Sequence, residues 1–143
     1  DDVFEAAKKF IENVKLKKDA DFIIVDIHGE ITSEKMAMGY LFDGKVTMLV
    51  GTHTHVPTSD YRIMEKGTAY QTDIGMCGDY NSVIGMNRDN SLKKFFKDPS
   101  ATKHYPALGE ATISGLMVVA DDKTGLANKV EPIVLGALLE NRI

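Results

Sequence analysis

The first stretch of the chain repeats its apolar residues with a helical period. Val3, Ala6, Ala7, Phe10, Ile11 and Val14 recur at intervals of three and four, which puts them on one face of a helix. A helix is therefore predicted over residues 2–18. Asp2 is placed to cap it with Glu5 three residues on, and Lys15, Lys17 and Lys18 suit the negative end of its dipole. The pattern then changes to the near-unbroken apolar run Phe22-Ile23-Ile24-Val25-Asp26-Ile27. Such a run reads as a strand over 21–28, covered on both faces within a parallel sheet.

A second helix is expected from Thr32 or Ser33, with Glu34 in its first turn and Met36, Ala37, Tyr40 and Leu41 along its apolar side. Asp43-Gly44 ends it, and residues 45–50 form the next buried strand. Strand, helix and strand in that order make a βαβ unit, with the two strands parallel and the crossover right-handed. Residues 56–90 are rich in turn residues (Pro57, Gly67, Gly75, Gly78, Gly85), the composition of loops that wrap over a site. Asn90 is expected to cap a short helix over 91–97, stopped by Asp98-Pro99. Residues 110–120 and 127–135 alternate as two strands, joined through Asp121-Asp122-Lys123-Thr124-Gly125 as a hairpin. The fold class is thus α/β, a βαβ unit plus a C-terminal β-hairpin, and residues 1–143 form a single unit.

The chemistry collects at the strand ends. Of four histidines in the chain, three close predicted strands. His28 ends the first strand, and His53 and His55 follow the second, just beyond Gly51. In parallel α/β sheets, ligands bind beyond the carboxyl ends of the strands. Neighbouring strands lie only about 5 Å apart, so His28 is expected to meet the His53-Thr54-His55 segment. Neutral imidazoles at one point suit zinc, iron or manganese. On a single zinc, three histidines would leave one position open for a water molecule; a two-metal site would split the pair. The plainer alternative makes His53 and His55 loop residues satisfied by backbone and water. Their shared place at the strand ends favours metal.

Glu30, two residues past His28, is placed to orient an imidazole from behind. Asp60 and Asp73 lie in the loops expected to cover the site, whereas Asp26 reads as a structural acid turned into the strand's packing. The loop from Thr72 to Tyr80 offers backbone N–H groups for a phosphate or, equally, a tight glycine turn. Cys77 reads as a bystander and His104 as an ordinary loop histidine.

Composition narrows the possibilities further. The net charge of −4 argues against a duplex nucleic-acid reader, which carries a basic footprint. The single cysteine excludes an internal disulfide and fits a reducing compartment. No apolar run approaches the roughly 18 residues of a membrane span. The expected location is the cytoplasm.

Three collinear motifs carry a resemblance. Asp26-Ile27-His28-Gly29-Glu30-Ile31-Thr32-Ser33-Glu34-Lys35, then Gly51-Thr52-His53-Thr54-His55-Val56-Pro57-Thr58-Ser59-Asp60, then Gly67-Thr68-Ala69-Tyr70-Gln71-Thr72-Asp73-Ile74-Gly75-Met76 resemble the YmdB-type metallophosphoesterases of the calcineurin-like superfamily. The resemblance implies an α/β/β/α sandwich with the site at the strand ends, of which this chain forms a part. It implies that His28, His53 and His55 are metal ligands for two divalent ions (iron, manganese or zinc). These activate a hydroxide for in-line attack on a small phosphodiester such as a cyclic nucleotide.

The family's remaining ligands, and the histidine taken as its general acid, belong to an N-terminal half with no counterpart in these motifs. The catalytic acid is therefore unassigned here, and the chain is expected to be a C-terminal portion that self-associates or pairs with that half. Two alternatives stand beside this reading: a single-zinc three-histidine hydrolase, and a non-catalytic metal-binding or interaction fragment.

Overall fold

A computed structural model describes residues 2–136 and 138–141. The expected crossover unit is present. Strand β1 (Ile24–His28) and strand β2 (Met48–Thr52) are parallel, in a register that sets His28 opposite Thr52, and helix α2 (Thr32–Phe42) connects them. β2 runs over Met48–Thr52 rather than over residues 45–50, so Thr52 is part of the ladder.

The turn-rich segment hides two further strands. β3 (Arg62–Ile63) pairs antiparallel with β4 (Ala69–Gln71), and β4 pairs parallel with β2, giving the sheet order β1-β2-β4-β3. All three residues of β4 are buried. With three residues and no alternation, such a strand shows no period to read.

The core lies on one face of this sheet. Ala7 of helix α1 (Val3–Asn13) packs with Ile23, Met38, Phe42, Val46, Leu49, Met64 and Tyr70. α1 stops at Asn13 rather than at 18, because Val14 turns extended. The lysines thus follow the helix instead of forming its last turn. Asp2 does cap it, accepting from the Phe4 and Glu5 N–H groups at 2.8 and 3.3 Å.

Helix α2 begins at Thr32 as expected, but it buries a different face. Lys35, Met38, Gly39 and Phe42 point inward, while Tyr40 is exposed. Lys35 reads as a surface residue in sequence, yet it is the first step of that inward stripe. Gly39 belongs there for a steric reason: a β-carbon would come within 2.7 Å of the Tyr70 ring.

Strand β1 is not covered on both faces. Val25 and Ile27 pack toward the helices, but Ile24, Asp26 and His28 face outward, with Ile24 65% exposed. β1 is also the sheet's edge strand. The hairpin of β5 (Thr112–Ala120) and β6 (Ala127–Gly136) packs against β3 and β4 and leaves β1 open. Its turn forms as expected, with the Asp121 carboxylate accepting from the Lys123 and Thr124 N–H groups at 2.8 Å each. Helix α3 (Arg88–Phe95) starts earlier than predicted, because Asn87 rather than Asn90 is the cap. Asn90 instead accepts from the Thr102 N–H at 2.9 Å. None of the helices among the described residues is long and apolar enough to cross a membrane.

Candidate metal centre

The βαβ register brings His28 and His53 into contact. Their rings meet edge to face with centroids 4.9 Å apart, and His28 Nε2 lies 3.1 Å from His53 Nδ1. The protons on His28 follow from its neighbours. The Thr52 hydroxyl donates to Asp26 Oδ1 at 2.9 Å, which uses its only proton. Toward His28 Nδ1, 3.1 Å away, Thr52 Oγ1 can then only accept, so Nδ1 carries the hydrogen. Nε2 is left with a bare lone pair aimed at His53 Nδ1. Two ring nitrogens at this separation share either a proton or a cation.

This donor set fits a metal. Two ligands on one tetrahedral zinc stand roughly 3.3 Å apart, given zinc–nitrogen bonds of about 2.0–2.1 Å. A relay that fixes a histidine's tautomer through its second nitrogen is also the usual companion of metal-bound imidazole. Asp26 therefore does not point into the packing, contrary to expectation. It shares the outward face of β1 with His28, because residues two apart on a strand share a face.

His55 is held separately. Its Nδ1 lies 2.7 Å from the Ile84 carbonyl, which can only accept, so Nδ1 carries the hydrogen and Nε2 again keeps a bare lone pair. Both histidines of the pair have positive φ, 128° at His53 and 64° at His55. A turn this unusual for residues with side chains needs an external brace. Asp73 supplies it, accepting from the Thr54 N–H at 2.9 Å and from the Gly75 N–H at 3.0 Å. Lys35 completes the brace, with its ammonium 3.1 Å from Asp73 Oδ2 and 2.9 Å from the Thr52 carbonyl. Burial pushes the Asp73 carboxyl up, but these donors more than offset it and hold it below the ordinary 3.8.

Among the described residues no three His, Cys, Asp or Glu side chains converge where they could hold one metal ion. The structure thus joins two of the three expected ligands and sets the third apart. Glu30 lies 4.0 Å from His53 Nε2, an ion-pair distance too long for a hydrogen bond. Asp73 lies buried beneath the histidine turn rather than over it. Asp60 binds the Thr58 and Thr72 hydroxyls, both at 2.6 Å, and pairs with Arg62 at 3.4 Å.

The loop after Asp73 is a tight turn rather than a phosphate cradle. The N–H groups of Ile74, Gly75, Met76 and Gly78 are taken by Gly51, Asp73, Tyr80 and Thr112. Cys77 is a free thiol whose sulfur lies 3.5 Å from the Ser114 carbonyl. Sequence reasoning missed Lys35, Thr52 and Ile84. A lysine in register with Met38, Gly39 and Phe42 was the one available signal; Thr52 and Ile84 carry none.

Comparison with known proteins agrees with the motifs. The YmdB-like protein family matches residues 1–133. The chain is 43% identical over 135 residues to a 2′,3′-cyclic-nucleotide 2′-phosphodiesterase of Bacillus subtilis, covering 94% of this chain and 50% of that protein. It is 44% identical over 126 residues to a putative phosphatase/phosphodiesterase of Mycoplasma pneumoniae, covering 87% and 44%. Among solved structures, a hypothetical protein from Thermus thermophilus superposes with a TM-score of 0.82 at 37% identity, over 95% of this chain and 51% of that one. A novel phosphatase from Mycoplasma pneumoniae gives 0.81 at 41%, over 93% and 46%. The chain spans about half the length of these relatives. On this match, the chain belongs to the YmdB-like protein family.

Proposed function

We propose that this chain supplies the histidine ligands of a metal-dependent phosphodiesterase acting on small phosphodiesters such as cyclic nucleotides. One observation carries the reading. The Asp26–Thr52–His28 relay leaves a bare imidazole nitrogen 3.1 Å from His53 Nδ1, at the carboxyl edge of two parallel strands. The name of the Bacillus subtilis relative supports the substrate class.

His28, His53 and His55 would hold two divalent ions of iron, manganese or zinc. When bound, such ions activate water and neutralise charge on the phosphoryl oxygens. The chain's own residues do the positioning. Thr52 keeps the proton on His28 Nδ1, Ile84 keeps it on His55 Nδ1, and the Lys35–Asp73 brace holds the turn between them. The separate anchoring of His55 supports two ions over a single three-histidine zinc. The other ligands and the acid for the leaving oxygen would come from the part of the family's domain outside this match. The open face of β1 is where that part, or a second copy, would add to the sheet of an α/β/β/α sandwich.

Titration with Zn²⁺ or Mn²⁺, read from the histidine ring nitrogens by NMR together with bound-metal analysis, tests the reading. The His28 and His53 resonances are expected to respond together. Rings that do not respond to stoichiometric metal would overturn it. Metal uptake without hydrolysis of 2′,3′-cyclic nucleotides, by a protein of the relatives' full length, would leave only a metal-binding module.

A further inference from the structure

We propose that the pocket beside His55 binds the nucleobase of the substrate, an inference that rests on the phosphodiesterase reading. The pocket has a volume of about 580 Å³, within the range of small-molecule sites. Val83, Ile84, Met86 and Phe95 make its walls, and Lys94 and His104 stand at it as nitrogen donors. Phe95 is 77% exposed, an aromatic residue on which a flat heterocycle can stack. Lys94 forms no ion pair among the described residues, so its ammonium is available to a base carbonyl or ring nitrogen.

Ile84 joins this pocket to the metal centre. Its carbonyl accepts from His55 Nδ1 at 2.7 Å, and the same residue lines the pocket. It does so at φ +50°, a conformation that a β-branched residue adopts only under constraint. Strain of this kind concentrates where a residue serves a site. A base seated here lies one residue from a candidate metal ligand, which suits a nucleotide whose base and reacting phosphorus are separated by one ribose. The apolar walls favour a base over a bare phosphate, which would call for more than a single lysine and a histidine.

NMR titration of the full, metal-free chain with adenosine tests this, with ribose 5-phosphate as the base-free control. Adenosine is expected to shift the Ile84, Met86 and Phe95 amides saturably. Phe95→Ala should weaken that binding about tenfold, in line with the loss of one stacking contact, whereas Leu92→Ala, exposed on the same helix, should not. Equal shifts with ribose 5-phosphate would overturn the proposal, as would no response to adenosine. Shifts that follow protein concentration instead of ligand would also overturn it, and would make this face a contact between copies. The test is independent of the metal reading. Adenosine binding with histidines that refuse metal leaves the pocket standing, and metal binding without adenosine removes the pocket alone.

Discussion

Lys35 Nζ lies 3.1 Å from Asp73 Oδ2, and neither side chain reaches solvent: Lys35 is 1% and Asp73 0% exposed. The pair joins α2 to the loop after β4, directly under the turn that carries His53 and His55. Its value is geometric more than energetic, since burying two charges costs about what their attraction returns. Removing one partner is another matter. Lys35→Met leaves a buried carboxylate that still holds two backbone N–H groups. Asp73→Ala strands those two N–H groups and leaves the buried ammonium without its counter-charge, with only the Thr52 carbonyl as partner. Both variants are expected to lose stability in urea unfolding, Lys35→Met by about 3–5 kcal/mol and Asp73→Ala by more. A Lys35→Met loss below about 1 kcal/mol would show that the pair does not brace the turn.

Gly51 tests the same region from the backbone side. A β-carbon at this position would sit 1.8 Å from the Thr72 carbonyl oxygen and 2.7 Å from Lys35 Cδ. Backbone cannot give way as a side-chain tip can. Gly51→Ala is therefore expected to force β2 and the segment after β4 apart, with loss of the folded state or of metal binding at His28 and His53. A variant with unchanged thermal stability and unchanged zinc uptake would refute this.

The parallel unit and the meeting of His28 with His53 were legible in the chain because two buried strands and a crossover permit one arrangement. The place of His55 was harder to read. Its placement depends on the Ile84 carbonyl, and a backbone group leaves no trace in residue identity. The inward face of α2 was misread for a related reason: Lys35 counts as polar until its partners Asp73 and the Thr52 carbonyl are known. Likewise β1 reads as doubly covered because its apolar run describes a strand with neighbours on both sides. The described residues cover one side only.

That open side leads to a prediction about association. Phe22 and Ile24 are exposed, and β1 offers an unpaired edge. Apolar surface next to a free strand edge invites pairing. The chain is expected to self-associate in sedimentation experiments, and Ile24→Asp to shift it toward monomer. A sharp monomer for the unaltered chain across a hundredfold range of concentration would count against it.

Asp60 carries a pH dependence. Burial raises its carboxyl, but the Thr58 and Thr72 hydroxyls and the Thr72 N–H outweigh that and hold it below 3.8. A carboxyl lowered by folding adds stability that is complete above its unfolded pKa, near 3.8, and fades as pH falls through the lower folded value. Asp60→Asn should therefore be less stable than the parent at neutral pH by a constant margin. The two should converge only below about pH 4. A gap that persists unchanged to pH 2 would assign the effect to lost packing rather than to the carboxylate.

The relay behind His28 can be separated from the fold that carries it. Thr52→Val keeps the shape of the side chain but removes the oxygen that accepts from His28 Nδ1 at 3.1 Å. His28 then has no partner to fix its tautomer, and Asp26 loses the hydroxyl that it held at 2.9 Å. Outer partners of metal-bound histidines are typically worth about 10–100-fold in affinity. Zinc binding by Thr52→Val should weaken within that range while urea unfolding of the metal-free chain changes by only about 1 kcal/mol. Thr52→Ser, which restores the hydroxyl, should recover most of the affinity. If valine and serine bind zinc alike, the hydroxyl does not set the tautomer, and the 3.1 Å contact between His28 and His53 is better explained as a shared proton.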